Sequence, residues 1–144
     1  MLQDGRDKSY AFNFIDTPGH PNFNDEVAVA LRLADNVLLV VDVIEGLGAQ
    51  GERLIHQIMK AGKQIVVVLN KLDRLVMEVK LPPVDGYHKI HSVLDEINIC
   101  VQGLKTINPE QKYLSPLHGN VVFATTLFGA CFTLETFAEI YRNR

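Results

Sequence analysis

Apolar and polar positions along these 144 residues follow two alternating rhythms. Residues 37–43 (VLLVVDV) and 64–69 (QIVVVL) are β-branched runs almost free of charge until their ends, the pattern of strands buried on both faces of a parallel sheet. Residues 10–15 (YAFNFI) form a shorter apolar and aromatic run that reads as an earlier strand closed by Ile15. Between the runs, apolar positions recur every three or four residues. Val27, Ala30, Leu31 and Ala34 follow the candidate helix cap Asn24, and Leu54, Ile55, Ile58 and Met59 precede Gly62. A longer helix follows Pro82 and Pro83. Its stripe runs through Tyr87, Ile90, Leu94, Ile97, Val101 and Leu104, with His88, Lys89, Asp95 and Glu96 off it. Residues 121–125 give a last strand before a helix that Thr133 caps, with Leu134, Phe137, Ala138 and Tyr141 facing inward. The polar stretch 106–112 reads as an ordinary loop, and no repeat or low-complexity tract interrupts the alternation. The pattern predicts an α/β fold with a mostly parallel sheet flanked by helices.

Composition narrows this picture. A chain of 144 residues, 47% hydrophobic, has the size of one ordinary domain and enough apolar content to bury a core. A formal net charge of -3 argues against a general polyanion-binding surface, so any RNA contact is expected to be local. Cys100 and Cys131 lie far apart without a Cys-x-x-Cys pair or a nearby ligand cluster, which suggests neither zinc nor a disulfide framework and suits a reduced intracellular compartment. The longest apolar stretch, residues 37–41, is far short of the ~20 residues a membrane-spanning helix needs, and the N-terminus lacks the pattern of a signal peptide. No membrane partner is expected.

Two polar motifs stand where apolar runs end, and in open parallel sheets ligands gather at the carboxyl ends of strands. The first is Asp16-Thr17-Pro18-Gly19-His20. An aspartate there can hold Mg²⁺, usually through water, while Gly19 lets the backbone approach a terminal phosphate and His20 orients or polarises an attacking water. The same residue types also favour a plain turn. The second motif, Asn70-Lys71-Leu72-Asp73, follows the run that ends at Leu69. Its Asp73 carboxylate can accept two parallel hydrogen bonds from N1 and N2 of guanine, donors that adenine does not offer. Asn70 would tie neighbouring loops together, and the aliphatic stem of Lys71 would cover a face of the base. The bland reading is a polar cap in which Asp73 and Arg74 are solvated charges. The order and spacing of both motifs favour a guanine nucleotide.

These two motifs resemble the G domain of translational GTPases, and Glu26-Val27, Ala30-Leu31-Arg32 and Asp73-Arg74 resemble its elongation-factor-2 branch. Residues 81–85 (LPPVD), 95–98 (DEIN) and 114–121 (LSPLHGNV) are most similar to the elongation-factor-2-like GTPases of the U5 small nuclear ribonucleoprotein, and the likeness covers essentially the whole chain. The resemblance implies a P-loop NTPase-type fold, with Asp16 and Gly19 at Mg²⁺ and the terminal phosphate and His20 at the catalytic water. It places Asn70, Lys71 and Asp73 on guanine. The family's third base-contacting loop aligns loosely with Thr125-Thr126-Leu127, where a backbone amide would meet guanine O6 whatever the side chain. GTP or GDP with Mg²⁺ is the implied cofactor, and U5 ribonucleoprotein proteins and RNA are the implied partners, in the nucleus. A ribosomal translocation factor in the cytoplasm is the alternative, and a noncatalytic scaffold with a G-domain fold is the second class. Pro21 departs from the family pattern: it stiffens the segment after His20 and removes a backbone donor.

No Gly-x-x-x-x-Gly-Lys-Ser/Thr loop occurs in the chain. In the family this loop follows a strand at the middle of the sheet, and a switch threonine lies between it and the position of Asp16. Residues 1–9 read instead as the end of an edge strand and a hairpin turn, so residues 1–144 are expected to be an incomplete G domain without its first strand and P-loop. Phosphoryl transfer is nearly all positioning and charge stabilisation, so weak or undetectable GTP binding and no hydrolysis above background are expected of the chain alone. Tight stoichiometric binding of GDP with Mg²⁺ in calorimetry would contradict this. The missing strand would leave residues 10–15 and 37–43 as apolar edges, open to pairing with each other or to exchange with a second copy. A strictly monomeric species in light scattering at high concentration would oppose the exchange. His88 and His91 lie three apart on one predicted helix without a third ligand and read as a solvated face, and both cysteines read as small buried residues.

Overall fold

The computed structural model describes residues 2–4 and 8–142, with side chains from Tyr10 onward. Two compact units divide the chain, residues 1–34 and residues 35–144. In the first, β1 (Leu2–Asp4) and β2 (Lys8–Tyr10) pair antiparallel, Leu2 opposite Tyr10. The hairpin turn expected between them lies outside the described residues. The strand expected over residues 10–15 does not form: Tyr10 ends β2, and Phe12, Phe14 and Ile15 lie exposed in irregular chain. An apolar run supplies β propensity, but a strand is completed by its ladder, and beyond Tyr10 none of the described residues pairs with residues 11–15. A 3₁₀ turn at Pro21–Phe23 leads into α1 (Asn24–Leu33), where Asn24 is the first helical residue and not the cap. Asp25 and Glu26 in its first turn and Arg32 in its last suit the helix dipole. Val27, Ala30 and Leu31 are its buried positions.

The second unit realises the predicted alternation. Its elements are β3 (Asn36–Asp42), α2 (Gly48–Lys60), β4 (Gln64–Asn70), α3 (Leu72–Met77), α4 (Pro83–Gly103), β5 (Val121–Thr125), β6 (Ala130–Phe132) and α5 (Leu134–Arg142). They build one sheet in the order β3-β4-β5-β6, parallel except at the β5–β6 pair. β3 and β4 run in register from Asn36 opposite Gln64 to Asp42 opposite Asn70. Alternation along the strands puts Leu39, Val41, Ile65, Val67, Leu69 and Val121 on one buried face. On the other face, Leu38 and Val40 of β3 are 53% and 60% exposed. α2 packs against β4 and α4, and Ile55, Ile58, Met59, Val93, Ile97 and Val101 are fully buried.

Three helical expectations need correction. α3 is an extra helix, six residues long and too short to show a periodicity. On α4 the stripe holds at Leu94, Ile97 and Val101, but Tyr87 is exposed, while Val93 and Asn98 are buried. On α5, Thr133 does cap: its hydroxyl accepts the Thr136 amide at 3.2 Å, and Thr136 Oγ1 accepts the Thr133 amide at 2.9 Å. Yet Leu134, Phe137 and Tyr141 are exposed, and the rings of Phe137 and Tyr141 continue a row of ring contacts from Phe123 and Phe132.

The polar stretch 106–112 is not an ordinary surface loop, because Asn108 and Gln111 are buried. Gln111 Oε1 accepts the Ile65 amide at 2.7 Å, and its Nε2 donates to the carbonyls of Ile65 and Lys112. Asn108 Nδ2 donates to the Lys63 carbonyl at 3.0 Å. Asn98 exchanges two bonds with the backbone of Leu114, at 2.8 and 3.0 Å, and Asn120 bonds to Tyr113 and Ser115. Amide side chains thus do for this segment what a ladder does for a strand. They fix the start of β5, whose far end carries Thr125.

Candidate nucleotide-binding site

In the first unit, Asp16 and Gly19 lie in exposed irregular chain. A Cβ built at Gly19 would meet nothing within 4 Å, so open space and not packing surrounds this glycine. His20 acts locally, since its Nδ1 accepts the Asn22 amide at 3.2 Å and caps the 3₁₀ turn that Pro21 opens. An accepting Nδ1 carries no proton, which assigns the proton of the neutral ring to Nε2. Its ring also meets Phe23 edge-on, with centroids 6.1 Å apart.

In the second unit, the structure brings together two of the predicted loops. Thr125 Oγ1 donates to Asp73 Oδ1 at 2.7 Å across a sequence separation of 52 residues. This bond joins the end of β5 to the first turn of α3 and sets the rotation of the Asp73 carboxylate. Thr126 and Leu127 continue into a 3₁₀ turn, Thr126–Phe128, with exposed side chains, which Gly129 closes in a left-handed conformation at φ 61°. Asn70 ties two loops together through its backbone and not its side chain. Its Oδ1 accepts the adjacent Lys71 amide at 2.7 Å, whereas its backbone carbonyl, accepting from the Val43 amide at 3.1 Å, makes the tie to the neighbouring β3 loop.

Asp42 and Arg74 were the residues that the motif reading missed. Arg74 is no solvated charge: its NH1 donates to Asp42 Oδ2 at 2.6 Å, and the same oxygen meets Lys71 Nζ at 3.0 Å. Asp42 Oδ1 accepts the amides of Ile44 and Glu45 and closes the turn after β3. Partial burial pushes the Asp42 carboxyl upward, but the Lys71 ammonium and those two amides outweigh it and hold the group below its ordinary value. The one available signal was Asp42 itself, the single charged residue in the 37–43 run.

Elsewhere the chemistry is sparse. Among the described residues no cluster of three or more His, Cys, Asp or Glu side chains is arranged to hold a metal ion. His91 pairs with Asp95 at 2.7 Å on the exposed side of α4, in keeping with a solvated face. Cys100 is half-buried, and burial first, then Glu52, raises its thiol pKa; Cys131 is exposed, contrary to expectation. A groove of about 410 Å³ between α2 and α4, lined in part by Glu52, His56, Ile99 and Cys100, includes none of the strand-end loops.

Residues 4–141 match the family described as the elongation factor Tu GTP binding domain. The chain belongs to this family. It is 47% identical over 99% of its length to pre-mRNA-splicing factor cwf10 of Schizosaccharomyces pombe, and 44% identical over 98% to the 110 kDa U5 small nuclear ribonucleoprotein component CLO of Arabidopsis thaliana. Identity falls to 33%, over 96% of the chain, with ribosome assembly protein 1 of Schizosaccharomyces pombe. The chain spans only 14–15% of the length of these curated relatives. The resemblance to a translational-type G domain, and within it to the U5 elongation-factor-2-like branch, is therefore borne out. So is the α/β G-domain fold, a mostly parallel sheet with flanking helices.

Proposed function

We propose that this chain is the guanine-reading part of the G domain of an elongation-factor-2-like GTPase that acts in pre-mRNA splicing within the U5 small nuclear ribonucleoprotein, in the nucleus. The observation that carries the guanine reading is the 2.7 Å bond from Thr125 to Asp73, because a carboxylate held in one rotation is the acceptor that N1 and N2 of guanine require. In this reading Asp73 takes both guanine donors and the stem of Lys71 lies against the base. Asn70 holds the loop, and the backbone at Thr125, Thr126 and Leu127 faces O6.

Asp16 is an exposed carboxylate, which suits Mg²⁺, an ion commonly held by one or two carboxylates together with phosphate oxygens. The open space at Gly19 suits close approach of a terminal phosphate. His20, with Nδ1 engaged, would meet the attacking water through Nε2. Hydrolysis belongs to the proposal at the level of the whole protein.

The splicing assignment draws on relatives at 47% and 44% identity that are named as a splicing factor and a U5 component, against 33% for a ribosome assembly protein. Affinity purification of the full-length gene product tests it. Recovery of U5 proteins and U5 RNA from nuclear extract is the expected result, and recovery of ribosomal particles without U5 components would overturn it.

A further inference from the structure

Asp42 and the guanine motif are linked through a single carboxylate oxygen. The Asp42 side chain is only 12% exposed, and Oδ2 holds Lys71 Nζ at 3.0 Å and Arg74 NH1 at 2.6 Å, while Oδ1 is committed to the turn at Ile44 and Glu45. Lys71 and Arg74 bracket Asp73 in the chain. We infer that Asp42 is a positioning residue for guanine recognition, fixing through Lys71 and Arg74 the loop that presents the Asp73 carboxylate. The inference rests on the guanine reading of Asp73.

Three features of the loop support it. Lys71 adopts φ 62° and ψ 38°, a left-handed conformation that L residues disfavour and that persists where the surroundings over-determine it. Its amide is held by Asn70 Oδ1 at 2.7 Å, its carbonyl accepts the Arg74 amide at 3.0 Å, and its ammonium is held by Asp42. Tethering the ammonium also directs the aliphatic stem that is to lie on the base. Arg74 has two other acidic neighbours, Glu78 at 2.7 Å and Glu45 at 4.0 Å, but these are 57% and 75% exposed. Asp42 is the inner partner, where a fixed charge is least screened.

The test compares GDP with IDP, which lacks the 2-amino group and so removes one donor to Asp73. The readout is the nucleotide-dependent shift of the amides of residues 125–127 in the 144-residue chain, followed by NMR to millimolar nucleotide. The GDP-to-IDP affinity ratio is unaffected by how much of the chain is folded, so a merely structural role does not move it. The expected wild-type ratio is about tenfold, the scale of one hydrogen bond to a charged acceptor. Asp42→Asn should bring it to within about threefold. Asp42→Glu, which keeps the charge, should retain most of it. Amide spectra of the unliganded variants establish that each folds. A wild-type ratio in Asp42→Asn, beside a ratio abolished by Asp73→Ala, would overturn the role of Asp42 and leave the guanine reading intact. An unchanged ratio in Asp73→Ala would overturn both.

Discussion

Asp73 owes its orientation to a residue 52 positions away, since Thr125 Oγ1 donates to Oδ1 at 2.7 Å. A hydrogen bond to a charged acceptor contributes about 1.5–3 kcal/mol, and water replaces part of it when the donor is lost. Thr125→Val keeps the shape of the side chain and removes the hydroxyl. It should weaken GDP binding about fivefold, whereas Thr125→Ser should bind as wild type, both followed by NMR titration. Equal affinity in the valine variant would contradict the orienting role. Asn70, Lys71 and Asp73 stand out in the sequence because their types and spacing are those proposed to read a base. Asp42 and Arg74 were not, because their pairing spans 32 residues and leaves no local pattern. His20 illustrates the converse. Its place in the motif was readable, but the cap it forms on Asn22 depends on the turn that Pro21 opens.

β3, β4 and β5 fall within a residue of the runs that predicted them, because β-branched stretches bounded by polar ends have few other uses in an α/β chain. Residues 10–15 carry similar local signals, yet beyond Tyr10 they form no strand, since propensity cannot supply a ladder partner. The burial of the 106–112 loop was equally hidden. Its polar composition is that of a surface loop, and only the bonds from Asn108 and Gln111 to the Lys63–Ile65 backbone reveal its place in the core. Asn98 is the most informative of these clamps, because it satisfies both backbone groups of buried Leu114. Asn98→Ala leaves an N–H and a C=O unpaired at a fully buried residue, at a cost of roughly 1–3 kcal/mol for each group that water cannot reach. Urea unfolding should show a destabilisation of about 2 kcal/mol with little change in slope. A midpoint equal to that of wild type would show that the loop is not held by this residue.

At the scale of the whole molecule, the α/β class was legible because the alternation of runs and stripes continues through residue 142. The division into two units was not. The motif at Asp16 lies in the first unit and both candidate base-contacting loops lie in the second, a division that order along the chain does not show. The second unit therefore contains the assembled part of the candidate site: Asp42, Lys71, Asp73, Arg74 and Thr125 are joined by direct bonds at the carboxyl ends of β3, β4 and β5. Base recognition is the property this unit should display by itself, even where phosphate contacts are weak. An NMR titration of the 144-residue chain with millimolar GDP, ADP and XDP measures it. The expected result is that GDP, and not ADP, shifts the amides of Asp73 and residues 125–127, and that Asp73→Asn, which exchanges an acceptor for a donor, transfers the response to XDP. Equal responses to GDP and ADP at these amides would contradict guanine recognition by this fold.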